Sequence, residues 1–168
     1  MKKNMKKIKM SDLKETKIKE VNRLSGHWIQ IVTDQIKLSD GTEGIREYVR
    51  HPGAALIIPV LPNGKILFVK QFRYSLNKIF LELPAGKRDA NEKTSQTAKR
   101  ELKEEVGYRA KTIKKLTRIH PVIGYANEFI DIYLAQGDLV YHQQIEARQD
   151  KPAIEKPQPE APKTETPK

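Results

Sequence analysis

The segment TSQTAKRELKEEV at residues 94–106 constrains this chain more than any other. Its apolar period is helical, and its charges are wrong for a helix standing alone. At about 100° per residue, Ala98, Leu102 and Val106 form an apolar stripe about 80° wide. Glu105 lies about 20° outside that stripe, Glu101 about 60°, and Glu104 further round. Glu101 and Glu105 stand four residues apart, a like-charge pair costing ~0.2–0.5 kcal/mol. All three acids crowd the C-terminal turns, where the helix dipole opposes negative charge by ~0.3–1 kcal/mol each. Arg100 relieves only part of this, through Glu104 one turn on. Carboxylates bordering a buried stripe suit a divalent metal, and oxygen-only ligation favours Mg²⁺ or Mn²⁺ over zinc. The other reading of the same spacing is an acidic, solvated face paired with lysines elsewhere. Gly107 supplies a helix stop, whereas Lys93 stands where Ser or Asp would be the usual start.

Around this helix the chain reads as short β-rich runs, at residues 28–33, 45–49, 54–60, 66–71, 79–82, 112–120 and 129–135. Pro62-Asn63-Gly64 makes a hairpin turn between two of them, and Gly41 and Gly44 flank another. The ends differ in composition. Residues 1–20 hold eight lysines against three acids, a charge of +5, with single apolar residues between. They read as a basic arm, or as a basic helix on a membrane or an acidic partner. Residues 143–168 contain five of the ten prolines amid Lys, Glu and Thr, which predicts a disordered tail. The folded domain is therefore expected over residues 21–142. No run reaches the ~18 apolar residues of a membrane span, and no apolar segment follows the lysines as in a secretory signal. The absence of cysteine removes disulfides and thiolate chemistry, and the four histidines lack ligand spacing. A cytoplasmic protein is expected. A net charge of +11 suits phosphate-bearing ligands as well as mere solubility, while the lack of an RNA-module motif argues against nucleic acid.

The helix also completes a longer pattern. Gly86, five residues, Glu92, seven residues, then Arg100-Glu101-Leu102-Lys103-Glu104-Glu105-Val106-Gly107-Tyr108 resembles the Nudix box, with every defined position filled. The resemblance implies an α/β (α+β) fold, a three-layer α/β/α sandwich around a mixed sheet. It also implies hydrolysis of nucleoside diphosphates linked to another group, with Mg²⁺ or Mn²⁺. By position, Glu101 and Glu105 would be the main metal ligands, with Glu104 assisting and the Ala85 carbonyl adding a donor. Glu92 and Arg100 would pin the loop to the helix, and Gly86 and Gly107 would make the required turns. The flanks Phe80-Leu81-Glu82-Leu83-Pro84-Ala85-Gly86-Lys87 and Val69-Lys70-Gln71-Phe72-Arg73-Tyr74 look like the ADP-ribose pyrophosphatase group. In that group the arginine matching Arg73 binds the diphosphate. Arg46 occupies the place of a second substrate arginine, and Glu128 matches a glutamate that contacts ribose or metal. Trp28 is a candidate to stack on adenine, across a homodimer in one arrangement; its other reading is a core tryptophan.

Two departures bear on the outcome. Ile123 stands where such enzymes carry a proline before the glycine matching Gly124. After Gln136 the chain passes directly into the Pro-rich tail, so the family's closing C-terminal helix and base-bearing loop are expected to be missing; Glu146 is the nearest acid that could replace that base. The sequence thus predicts Mg²⁺-dependent splitting of ADP-ribose into AMP and ribose 5-phosphate. The alternatives are a hydrolase of another nucleotide sugar or dinucleotide, and a shortened, weakly active binding module.

Overall fold

A computed structural model describes Lys9, residues 13–136 and residues 139–141. The expected tail, its closing segment and Glu146 lie outside the described residues. The order of elements is β1 (Thr16–Ser25), β2 (Gln30–Lys37), β3 (Glu43–Arg50), β4 (Ala54–Pro59), β5 (Val69–Arg73), a 3₁₀ turn (Tyr74–Leu76), β6 (Lys78–Glu82), β7 (Ala85–Lys87), α1 (Thr94–Val106), β8 (Tyr108–Ala110), β9 (Ile113–Ile119), β10 (Ile130–Ala135) and β11 (Leu139–Tyr141). The expected helix forms over the expected residues. Gly107 ends it at φ 74°, a left-handed conformation that costs glycine nothing. At its start Gln96 makes up for the absent Ser or Asp, its Oε1 accepting the Lys93 N–H at 2.9 Å.

The central sheet runs β7-β4-β10-β9 and is mixed: β4 and β10 are parallel, while β7 and β9 pair antiparallel on either side. Alternation along β4 and β10 sends Ala55, Ile57, Tyr133 and Ala135 to the face where α1 supplies Ala98 and Leu102. That interface is the core, with Leu139 buried beside it. The arrangement is mixed α+β, as expected, with one helix among the described residues.

Three differences from the sequence reading have local causes. Residues 16–20, inside the expected arm, belong to β1 of the antiparallel sheet β1-β2-β3. Two irregularities in its register, between Lys17 and Lys19 and between Glu20 and Asn22, place Ile18, Val21 and Leu24 three apart, so the period of two never shows. The turn at Asn63-Gly64 forms, with Gly64 at φ 78°, but the flanking chains meet only at the bridge between Val60 and Ile66. β5 turns away to pair with β6 instead. Trp28 precedes β2 and is 54 % exposed, so the core-tryptophan reading is excluded.

The helix is held to the sheet by Asp131, a buried carboxylate on β10. It accepts from Arg118 at 2.7 and 3.0 Å, pairs with Lys115 at 2.7 Å, and accepts from Thr94 Oγ1 at 2.8 Å in the first turn of α1. The Arg118 guanidinium, reinforced by Lys115 and Thr94 against the cost of burial, holds the Asp131 carboxyl far below the usual carboxylate range. A depressed carboxylate contributes stability above its unfolded value, near 4, and loses it as pH falls further. Asp131→Asn is expected to cost about 2–3 kcal/mol at neutral pH, because it discards charge-assisted bonds. The difference from wild type should shrink in denaturant melts below about pH 3. Equal losses at pH 7 and pH 3 would contradict this account.

Candidate active site

The loop from β7 into α1 and the helix itself are joined through one guanidinium. Arg100 donates from Nε to Glu92 Oε1 at 3.1 Å and from Nη2 to Glu92 Oε2 at 3.0 Å, and Nη2 also reaches the Lys87 carbonyl at 3.1 Å. Its Nη1 donates to Glu101 Oε1 at 2.6 Å and to Glu104 Oε2 at 3.4 Å. Glu92 further accepts from the Asp89 N–H and from Thr97 Oγ1. The Arg100 bonds, with those two donors, pull its carboxyl down to about 2 against the opposing effect of burial. Arg100 is raised in turn, chiefly by Glu92. This is a charge-assisted clamp between loop and helix.

Gly86 shows how closely the two are fitted. A Cβ built there would lie 1.8 Å from Glu101 Oε1 and 2.0 Å from its Cδ. Only glycine leaves room for this carboxylate, which is 3 % exposed. Glu105 reaches the same turn from the next helical level, its Oε2 accepting the Ala85 N–H at 3.0 Å. Ala85, Gly86, Lys87, Asp89, Arg100, Glu101 and Glu104 line an open cleft of about 380 Å³.

No three carboxylates or imidazoles among the described residues converge on one point. Glu101 is turned toward Arg100 and Glu105 toward the Ala85 amide. The residues nevertheless fit a hard divalent ion. Three carboxylates within two helical turns face a backbone turn, all donors are oxygen, and Gly86 leaves the space Glu101 occupies.

The expected substrate residues fall in different places. Arg73, on β5, donates to Glu82 through Nε at 2.9 Å and also through Nη2. Its pKa is raised mainly by that bond, and the charge of Glu105 contributes, so Arg73 stands within electrostatic range of Glu105. Arg46, on β3, is paired with Glu15 and lines neither of the clefts described here. Trp28 lines a second cleft of about 450 Å³ with Gln30, Arg50, His51, Pro52, Arg88 and Asn127. Glu128 lies beside it, its Oε1 3.7 Å from His51 Nδ1.

Sequence reasoning missed His51, Lys87, Arg88 and Asn127. His51 takes the Gly53 N–H on Nδ1 at 3.1 Å, which puts the proton of the neutral ring on Nε2, and packs edge-on to Trp28 with centroids 6.1 Å apart. Burial lowers its pKa and the charge of Lys87 adds to this, while Glu128 opposes it. The Lys87 ammonium sits 5.3 Å from the Trp28 ring centroid, a cation–π contact worth about 0.5–1 kcal/mol at an exposed site. The signal for Lys87 was its place directly after Gly86. The other three become neighbours only in the fold, as Asn127 Oδ1 accepts the His51 N–H at 2.7 Å and Arg88 Nε donates to the Pro52 carbonyl at 2.9 Å.

A model of the NUDIX domain matches residues 49–164. The ADP-ribose pyrophosphatase of Bacillus subtilis is 37 % identical over 142 residues, covering 84 % of this chain and 77 % of that protein. The methanol dehydrogenase activator of Bacillus methanolicus is 38 % identical over 123 residues, covering 73 % of this chain and 66 % of that protein. The solved structure of an ADP compounds hydrolase superposes with a TM-score of 0.69 over 83 % of this chain and 74 % of that one; at 22 % identity this shows a shared fold.

Proposed function

Because the chain belongs to the Nudix family, we propose that it is a pyrophosphatase whose substrate is ADP-ribose, which it splits with water into AMP and ribose 5-phosphate. The observation that carries the reading is the fitted turn and helix, with the Glu101 carboxylate packed into the space left by Gly86 and Glu105 bonded to the preceding amide. Glu101 and Glu105, with Glu104 and the Ala85 carbonyl, would hold Mg²⁺ or Mn²⁺. Such an ion, when bound, neutralises diphosphate charge and makes its bound water more acidic.

The chain's own residues do the rest. Arg100 keeps Glu101 on the helix face while anchoring the loop through Glu92. Arg73, bonded to Glu82 within electrostatic range of Glu105, binds the diphosphate, and Arg46 would have to leave Glu15 to serve as a second cation. Trp28 stacks on adenine, and Glu128 accepts from a ribose hydroxyl. The apolar residues Phe72, Ile79 and Leu81, exposed on the β5–β6 hairpin, support a homodimer. No helix among the described residues is long and apolar enough to cross a membrane, which accords with a cytoplasmic setting. A second reading, hydrolysis of another nucleoside diphosphate derivative, is favoured by Ile123, which is 82 % exposed where a proline would stiffen the loop of Glu128.

The test is product analysis with ADP-ribose, with and without Mg²⁺. Metal-dependent AMP and ribose 5-phosphate are expected; turnover only of a different nucleotide sugar would move the assignment to the second reading. Arg73→Ala is expected to raise KM about tenfold or more, since a bidentate charge-assisted contact is lost. An unchanged KM would remove Arg73 from the substrate site.

A further inference from the structure

We propose that Lys87 is a substrate-binding residue shared by the two clefts, its ammonium exchanging between the Trp28 indole and the diphosphate of a bound nucleotide. The proposal rests on the nucleoside-diphosphate reading above and adds a residue and a coupling to it. Lys87 lines the carboxylate cleft, yet its Nζ lies 5.3 Å from the indole centroid of Trp28, which lines the other. Its root is fixed: it pairs with Ala54 in the sheet, and its carbonyl accepts from Arg100 at 3.1 Å. Only the flexible side chain needs to move.

Charge favours the exchange. The Trp28 cleft already holds Arg50 and Arg88, and the charge of Lys87 acts against a positive His51 there. A diphosphate lying against the carboxylate cleft offers the ammonium an anionic partner instead. A nucleobase and the ammonium also compete for the same indole face, so a stacking base releases the lysine toward the phosphates it arrives with. Arrival of the base is thereby coupled to neutralisation of the diphosphate.

Trp28 is the one tryptophan in the chain, so its emission reports this exchange directly. Inorganic pyrophosphate, which has no base to stack, is expected to change Trp28 emission in the full-length wild-type protein by drawing the ammonium off the ring. The same titration should leave Lys87→Met unchanged, whereas AMP should change the emission of both. With ADP-ribose, Lys87→Met is expected to raise KM about tenfold with a smaller effect on kcat, and Lys87→Arg to restore most of the loss. Pyrophosphate acting equally on wild type and Lys87→Met, or not acting on wild type, would overturn the proposal, as would an unaltered KM. Failure of the nucleotide reading looks different: wild-type protein would turn over no nucleoside diphosphate, while the pyrophosphate titration would still decide the role of Lys87.

Discussion

Glu105→Gln is expected to lower metal-dependent hydrolysis on the order of 10³-fold or more while leaving the fold intact. The substitution is close to isosteric. The amide oxygen of glutamine can still accept the Ala85 N–H that Glu105 Oε2 takes at 3.0 Å, so the turn before the helix keeps its anchor. What disappears is a negative charge on the face where a divalent ion is proposed to bind, and a neutral amide oxygen holds a hard cation more weakly than the carboxylate it replaces. Circular dichroism and melting temperature should match wild type, while Mn²⁺ binding followed by electron paramagnetic resonance should weaken together with turnover. An active variant, or one that binds Mn²⁺ as wild type does, would remove Glu105 from the metal site.

The second large effect is expected at Gly86→Ala. An added methyl would fall 1.8 Å from Glu101 Oε1, so the carboxylate must leave its seat. Leaving disturbs the 2.6 Å bond from Arg100 and, through it, the clamp on Glu92. The stability cost is that of one overpacked site, about 1–3 kcal/mol. The cost to turnover should be far larger, on the order of 10²–10³-fold, because reacting groups displaced by about 1 Å lose productive geometry. A melting temperature a few degrees lower with activity nearly gone is the expected pair of results. Wild-type activity in this variant would mean that Glu101 acts from another position.

The helix could be read from the sequence because its signals are local, an apolar stripe and a glycine stop, whereas the bond from Lys93 N–H to Gln96 that caps its start came only from the structure. The loop–helix clamp was legible only through the family resemblance, whose motif Gly86, Glu92, Arg100, Glu101 and Glu105 complete within twenty residues; helical spacing alone placed the acids and Arg100, not their meeting with the loop. β1 was not legible, because its register irregularities move Ile18, Val21 and Leu24 off the period of two. Nor was the parting of β4 from β5, because a turn fixes where the chain reverses and not how far the strands stay paired. The second cleft was hidden for the same physical reason as most tertiary sites. Trp28, His51, Arg88 and Asn127 come from four separate segments, and nothing local in any of them announces the others.

The parallel pairing of β4 with β10 has a consequence for the order in which the molecule assembles. Ala54 lies opposite Ile130, so the whole stretch carrying the β5–β6 hairpin, the clamp and the acidic helix is a loop closed by that one pairing. The meander β1-β2-β3 needs only near neighbours and can form as soon as it is synthesised. The seat of α1 cannot be completed so early, because Tyr133 and Ala135 belong to the core cluster in which Ala98 and Leu102 are buried. A nascent chain halted before residue 130 would therefore carry every acid of the helix and only the β4–β7 pair to hold it. Binding competence should emerge in one late step, when β10 slides in between β4 and β9.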